Sequence, residues 1–269
     1  MSHTKTEKKI QRLTKILSSM GSALVAYSGG LDSSFLLFVA HECLGEKVLA
    51  VTALSETYTK AERSFAKKFC GEYGIPHRFI RTRELGDERF RANPRNRCYY
   101  CKKELFGRLQ AIAKKEHYAC VIDATNDDDR RDVRPGARAK KELNVRSPLA
   151  EARISKKEIR LASKAMGLPS WKLPQMACLA SRINYGSAIT KQRLARIEKA
   201  ENFLRKHFHL EGNIRVRDYG LLARIEVDKE HIPALLSQDG FVRRFKRLGF
   251  QYITVDLEGF RSGSMNAGK

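Results

Sequence analysis

The sequence predicts an α/β protein, a parallel-sheet domain followed by a smaller α+β domain. Three observations carry this expectation. Short apolar runs alternate with helical patterns of about a dozen residues, the arrangement of a parallel sheet with right-handed crossovers. A Ser-Gly-Gly turn joins the first apolar run to the first of these helices. Near "GLPSWKLPQMACLASRINYGS" the texture changes. Gly167, Pro169, Pro174 and Gly186 punctuate an irregular stretch that is long for a connection inside a compact domain, so function or a linker is expected there. The expected boundaries are 1–168 for the first domain, 169–186 for the irregular segment and 187–269 for the second.

The N-terminal "MSHTKTEKKIQRLTKILSSM" places Ile10, Leu13, Ile16 and Leu17 on one helical face, as a surface helix does. Ala23 to Tyr27 reads as the first strand, and Phe35, Leu36, Val39 and Ala40 give the helix that starts at Leu31. "KVLAVTAL" (Lys47 to Leu54) is a second strand, Ala61 to Tyr73 a helix, "HRFIRT" a third strand and "YACVIDAT" (Tyr118 to Thr125) a fourth. Ser155 and Glu158 have the spacing of a capping box, which places a helix start at Ser155. Beyond the irregular segment a helix is expected from Thr190 to about His207. "NIRVRDYG" and "LARIEVD" then form a hairpin, a helical stretch covers Glu230 to Leu248, and "QYITVDL" is a last strand.

The chain holds 52 Lys+Arg against 30 Asp+Glu, a net charge of +22. Such a surplus suits a polyanion such as RNA, a phosphate-rich substrate, or simply a solubilising surface. No window approaches the ~18–20 apolar residues of a membrane span. With no apolar leader pattern, a cytoplasmic protein is expected, and its six cysteines are expected to be reduced thiols or ligands. Cys43, Cys70 and Cys120 fall in apolar helix and strand patterns and read as core thiols.

"YSGGLDSS" is neither a Walker A loop nor a dinucleotide-binding GxGxxG. Small residues after a strand let backbone N–H groups approach phosphate oxygens, and the following helix N-terminus adds positive potential. Ser28 and either Ser33 or Ser34 can donate to phosphate. Asp32 would repel phosphate on its own and makes sense as a ligand of a shared Mg²⁺. Asn126 and Asp127 to Asp129 close the fourth strand, where parallel sheets bind ligands, and can contact a nucleotide or its metal; a solvated acidic turn is the competing reading. Cys98 and Cys101 in "NRCYYCKKELF" could be part of a zinc site, a redox pair, ligands of an iron–sulfur cluster or unrelated thiols.

The loop resembles the PP-loop of the ATP pyrophosphatase superfamily, with an adenine nucleotide alpha hydrolase-like fold. "NRCYYCKKELF", "DATNDDDRRDVRPGARA", "SPLAEARISKKEIR", "MACLASRINYGSAIT", "IRVRDYG" and "GFRSGSMN", in that order, resemble the LarE family of sulfur insertases. The resemblance implies cleavage of ATP to AMP and pyrophosphate. It also implies adenylation of the carboxylates of pyridinium-3,5-biscarboxylic acid mononucleotide and their conversion to thiocarboxylates during nickel-pincer cofactor synthesis. It implies ATP contacts at Ala26, Ser28, Gly29, Gly30, Leu31, Asp32, Ser33, Thr52 and Asn126, and a substrate phosphate site at Arg215, Arg217 and Arg261. Cys178 matches the family's sulfur-handling cysteine, with Ser181 and Arg182 orienting the substrate beside it and Glu201 as a further candidate for the intermediate.

Within that family, a lone cysteine gives up its own sulfur and the protein is consumed. Cys98, Cys101 and Cys178 together resemble the other type, in which three thiolates hold a [4Fe–4S] cluster whose open iron carries an extra sulfide. The implied partners are the nucleotide substrate, a sulfide source and further copies in a homo-oligomer. Competing readings are a sacrificial Cys178, a PP-loop tRNA thiolase, and a non-enzymatic nucleic-acid-binding protein with a relict loop. An ammonia-using synthetase leaves the cysteines without a role.

Overall fold

The computed structural model describes residues 2–131, 135–236 and 240–266. It divides into two compact units. The first comprises Met1–Ser55, Lys60–Glu84 and Arg95–Leu173; the second comprises Glu56–Thr59, Leu85–Pro94 and Pro174–Lys269.

In the first unit, β1 (Ala23–Ala26), β2 (Val48–Leu54), β3 (His77–Arg81) and β4 (Cys120–Ile122) form a parallel sheet in the order β3-β2-β1-β4. The helices through residue 165 are α1 (Ser2–Ser18), α2 (Leu31–Leu44), α3 (Lys60–Glu72), α4 (Glu88–Arg91, part of the second unit), α5 (Arg97–Lys115), α6 (Pro135–Glu142), α7 (Pro148–Glu151) and α8 (Lys156–Ala165). Both faces of the sheet are covered, which is why β1 reads as an unbroken apolar run. Val25 joins Phe35, Leu36, Phe69, Leu149 and Ile159 in one core, and Leu24 joins Val51, Phe106, Leu109 and Val121 in the other. The apolar face of α1 packs into the first core through Leu13 and Leu17.

In the second unit, Thr190 caps α9 (Lys191–His207) by accepting the Arg193 N–H. β5 (Ile214–Tyr219) and β6 (Leu222–Val227) are antiparallel, and β7 (Tyr252–Val255) runs parallel to β6. Leu204, Val216, Ile225, Phe245 and Phe250 form the core on one face of this sheet. Arg193 and Arg196 of α9 both bind Asp218 at 2.7 Å, tying the helix to β5. Burial alone would raise the Asp218 carboxyl, but these two arginines and the Gly220 N–H outweigh it and hold it low.

Three expectations shift. The fourth strand ends at Ile122, not Thr125. Past that point the Asp123 N–H donates to the Arg146 carbonyl, outside the sheet's strands, and the Asp123 carboxylate accepts from Thr125, Ser147 and Lys140. The stretch expected as one helix from Glu230 to Leu248 contains a short turn at Lys229–His231, α10 (Ile232–Leu236) and α11 (Phe241–Arg247); residues 237–239 within it lie outside the described residues. The helix α5, which carries Cys98 and Cys101, was not expected, although Phe106, Leu109 and Ala113 have helical spacing.

The capping box at the start of α8 is complete. Ser155 Oγ accepts the Glu158 N–H, and the Glu158 carboxylate accepts the Ser155 N–H and pairs with Lys9 of α1 at 2.8 Å. Ser155→Ala is expected to cost about 1 kcal/mol, lowering the melting temperature by roughly 2–4 °C in a thermal denaturation scan.

Candidate active site

After β1 the chain turns at Ser28-Gly29-Gly30 into α2. Gly29 has φ +76°, and a Cβ there would stand 2.9 Å from the Glu62 carbonyl oxygen, so only glycine fits. Gly30 is the N-cap of α2 and has no side-chain cap, which leaves the first N–H groups of a 14-residue helix open to an anion. Ser28 Oγ lies 3.0 Å from Ser33 Oγ, and Ser33 Oγ donates to the Gly30 carbonyl. Ser34 is fully buried, with its hydroxyl 3.1 Å from that of Tyr27. Of the two candidate serines, Ser33 therefore belongs to the loop and Ser34 to the core.

Asp32 opens the first turn of α2. Burial pushes its carboxyl up to about 6, opposed by Lys156 and Arg160 and reinforced by the neighbouring Asp129. Asn126 hydrogen-bonds it, while Oδ1 is shielded from solvent with no partner. An orphaned carboxylate oxygen beside an anion-receptive helix end fits Mg²⁺, which takes one or two carboxylates and completes its shell with phosphates and water. Asn126 and Asp129 bind each other's backbone, and Asp128 accepts the Lys156 N–H at the head of α8. Asp128 thus works as a cap. Ala26 and Leu31 flank the loop at the end of β1 and the start of α2. Thr52 is buried, and its hydroxyl lies 2.8 Å from His77 Nε2.

Lys156 and Arg160 act on Asp32 through their charge, a role the sequence motifs do not mark. Their four-residue spacing on a helix opening at the sheet's carboxyl end was the available signal. Lys140 was also missed. Its ammonium donates to Thr125 at 2.6 Å and Ser147 at 3.0 Å beside Asp123, and burial lowers its pKa. Residues 132–134 of "DATNDDDRRDVRPGARA" lie outside the described residues.

Cys98 and Cys101 stand three apart at the start of α5, on one helix face, Cys98 exposed and Cys101 half-buried. The spacing fits two thiolates on one metal group. Among the described residues, no three His, Cys, Asp or Glu gather closely enough to hold a metal. Burial pushes the Cys70 thiol up to about 12 and raises those of Cys43 and Cys120, which keeps all three protonated and inert.

Cys178 lies in the second unit, half-buried, before a turn at Leu179–Arg182. The Ser181 hydroxyl donates to the Cys178 carbonyl at 2.8 Å. Arg182 is buried. It donates to the carbonyls of Ala177 and Cys178 and forms a two-pronged pair with Glu201. Glu201 also accepts the Val216 N–H. Arg182 and Glu201 thus hold the Cys178 backbone against α9 and β5, and the guanidinium charge is balanced within the pair. Arg215 and Arg217 are each 5% exposed, whereas the Arg261 side chain is 43% exposed and pairs with Glu258 at 2.5 Å.

The fold and loop define a PP-loop ATP pyrophosphatase-type enzyme. Residues 22–91 match the family model of the queuosine biosynthesis protein QueC. An uncharacterized protein of Synechocystis is 42% identical over 97% of both chains. The pyridinium-3,5-bisthiocarboxylic acid mononucleotide synthase of Lactiplantibacillus plantarum is 35% identical over 94% of this chain and 92% of its own. An uncharacterized protein of Methanocaldococcus jannaschii is 33% identical over 89% of this chain and 90% of its own. The chain belongs to the LarE family. Among the described residues no helix is long and apolar enough to cross a membrane.

The Asp32 carboxyl, raised by burial, favours the fold while protonated and weighs against it once ionised. That contribution is present below the unfolded pKa near 4 and is lost as pH rises through about 6. Asp32→Asn is therefore expected to raise the metal-free melting temperature by roughly 2–8 °C at pH 8 and to change it little at pH 4, while abolishing ATP cleavage. Calorimetry at both pH values checks the first part, and pyrophosphate release the second.

Proposed function

We propose that this chain uses ATP and Mg²⁺ to adenylate the carboxylates of pyridinium-3,5-biscarboxylic acid mononucleotide and replaces each adenylate with sulfur, giving the thiocarboxylates named for its Lactiplantibacillus relative. The observation that carries the reading is 35% identity running across 94% of the chain. The site chemistry agrees with it: a glycine turn and open helix end for phosphates, an orphaned carboxylate oxygen for the metal, and a thiol held in place beside arginines.

The substrate carboxylate attacks the α-phosphorus of ATP, and pyrophosphate leaves. The Gly29–Gly30 turn and the α2 N-terminus receive the phosphates, and Asp32 would hold a Mg²⁺ ion, which when bound would offset their charge. A sulfur nucleophile then attacks the acyl carbon, the C–O bond to AMP breaks, and AMP carries the electron pair away. Arg182 and Glu201 fix the backbone of Cys178 for this step.

Cys98 and Cys101, with Cys178 as third ligand, are proposed to hold a [4Fe–4S] cluster. When bound, such a cluster offers an open iron that can carry sulfide. The alternative source is Cys178 itself: its thiolate forms a thioester with loss of AMP, and elimination then breaks the Cβ–S bond, leaving dehydroalanine.

Anaerobically purified protein given ATP, Mg²⁺, sulfide and the biscarboxylated mononucleotide is expected to yield AMP, pyrophosphate and a thiocarboxylated product by mass spectrometry. Absence of all three overturns the reading. The cluster predicts visible absorbance and about four irons per chain, both lost in Cys98→Ala. Iron-free protein that loses the mass of H₂S on turnover identifies Cys178 as the donor instead.

A further inference from the structure

We propose that the face of the second unit made by α9 and α11 binds the phosphate backbone of an unpaired nucleic-acid strand. This surface uses none of the residues assigned to the proposed reaction.

The α11 segment reads "FVRRFKRLGF" from Phe241 to Phe250, with four cations and no acidic residue. Phe241 and Phe245 stand four apart and are buried in one core with Leu204 and Phe250. That anchoring turns Arg243, Arg244, Lys246 and Arg247 outward, and all four are exposed. Among the described residues, none of these four side chains forms an ion pair. Other exposed cations of the unit behave differently. Arg89 pairs with Asp87 at 2.8 Å, Lys191 with Glu56 at 2.9 Å and Arg261 with Glu258 at 2.5 Å.

Fold stability does not ask for this arrangement. Arg243–Lys246 and Arg244–Arg247 are spaced i,i+3 and Arg243–Arg247 i,i+4, so like charges repel along a helix of only seven residues. The negative end of a helix favours cations in its last turn. That accounts for Arg244, Lys246 and Arg247, but not for Arg243, which lies before the last turn and takes part in two of the repelling pairs.

The charge continues onto α9. Lys199 and Lys206, both exposed, are two turns apart on one side of the helix, with Phe203 between them. Arg205 closes the end of α9 by donating to the carbonyls of Leu210 and Gly212, which leaves Lys206 outside that role. A run of ring contacts joins the two helices: His207 to Phe208 at 4.9 Å, Phe208 to Phe241 at 5.6 Å and Phe241 to Phe245 at 5.8 Å. The exposed His207 ring lies flat on Phe203, with 4.9 Å between centres and 16° between planes. A flat ring held in place among cations is a platform on which an unpaired base stacks. A lipid surface fits less well. A helix lying on a membrane inserts an apolar face. Among the described residues, no exposed large apolar side chain belongs to α9 or α11, and the phenylalanines of α11 are buried.

The test titrates a short fluorescently labelled single strand, as RNA and as DNA of the same sequence, with the full chain and follows anisotropy. Contacts from the four α11 cations predict an affinity that falls roughly fiftyfold between 50 and 200 mM salt. The combined Arg243→Gln, Arg244→Gln and Arg247→Gln variant should show a fall of roughly threefold over the same range. Relieved of repulsion within α11, it should melt no lower than wild type. His207→Ala should weaken binding about tenfold at every salt concentration, and His207→Phe should restore it. Binding of either strand with these dependences supports the proposal, and the preferred strand identifies the source of the backbone. Absence of binding, or an unchanged salt dependence in the triple variant, overturns it. Capture by vesicles of phosphatidylserine and phosphatidylcholine, with neither strand bound, overturns it in favour of a membrane surface.

Discussion

At Gly29 the chain leaves β1 and turns beneath the backbone of α3, passing so close to the Glu62 carbonyl that no side chain could be accommodated. The left-handed backbone and the close approach both demand glycine. That one turn sets the direction of α2 and leaves the helix's first N–H groups uncapped. It also carries Asp32 into a half-buried position against Asn126, Lys156 and Arg160. Anion reception at the helix end and cation reception at Asp32 are therefore consequences of one backbone geometry. Fold stability and function pull in opposite directions at Asp32, where a carboxylate is kept partly desolvated and one oxygen is left without a partner.

The second unit solves a different problem. It must keep several guanidiniums inside a small sheet domain, where an unpaired charge is costly. Asp218 answers Arg193 and Arg196, Glu201 answers Arg182, and Glu226 answers Arg217 and Arg224. Each carboxylate is almost wholly buried, so each pair is also a mechanical link between elements. Glu201 joins α9 to β5 and to the Cys178 turn, and Glu226 joins β5 to β6 and to Ser264. The net +22 of the chain is thus not only a surface property.

Much of the first unit was legible because its sheet is buried on both faces and its strands are uniformly apolar. The β1 run, the glycine turn and the Ser155–Glu158 box announce themselves in consecutive residues. The early end of β4 was hidden because Asp123 finds partners at Lys140 and Ser147, and nothing near Asp123 in sequence reveals them. The choice between Ser33 and Ser34 was equally hidden: both follow Asp32, and only the position of the Tyr27 hydroxyl separates them. Alternation on β5 placed Arg215 and Arg217 on one face but could not say that this face is covered by Phe260 and Ser264.

By itself the sequence determined the α/β class, the nucleotide loop and the family, because each rests on local pattern: periodicity, paired glycines after an apolar run, motifs in a given order. The tertiary structure alone decided how those groups are used. It turned Arg182 and Glu201 into a brace for Cys178, spent Asp128 on capping α8, sealed Arg215 and Arg217 inside, and left Arg224 and Arg261 facing solvent. The physical reason is that desolvation and pairing depend on what lies across the fold, and a side chain's neighbours in space are not its neighbours in the chain.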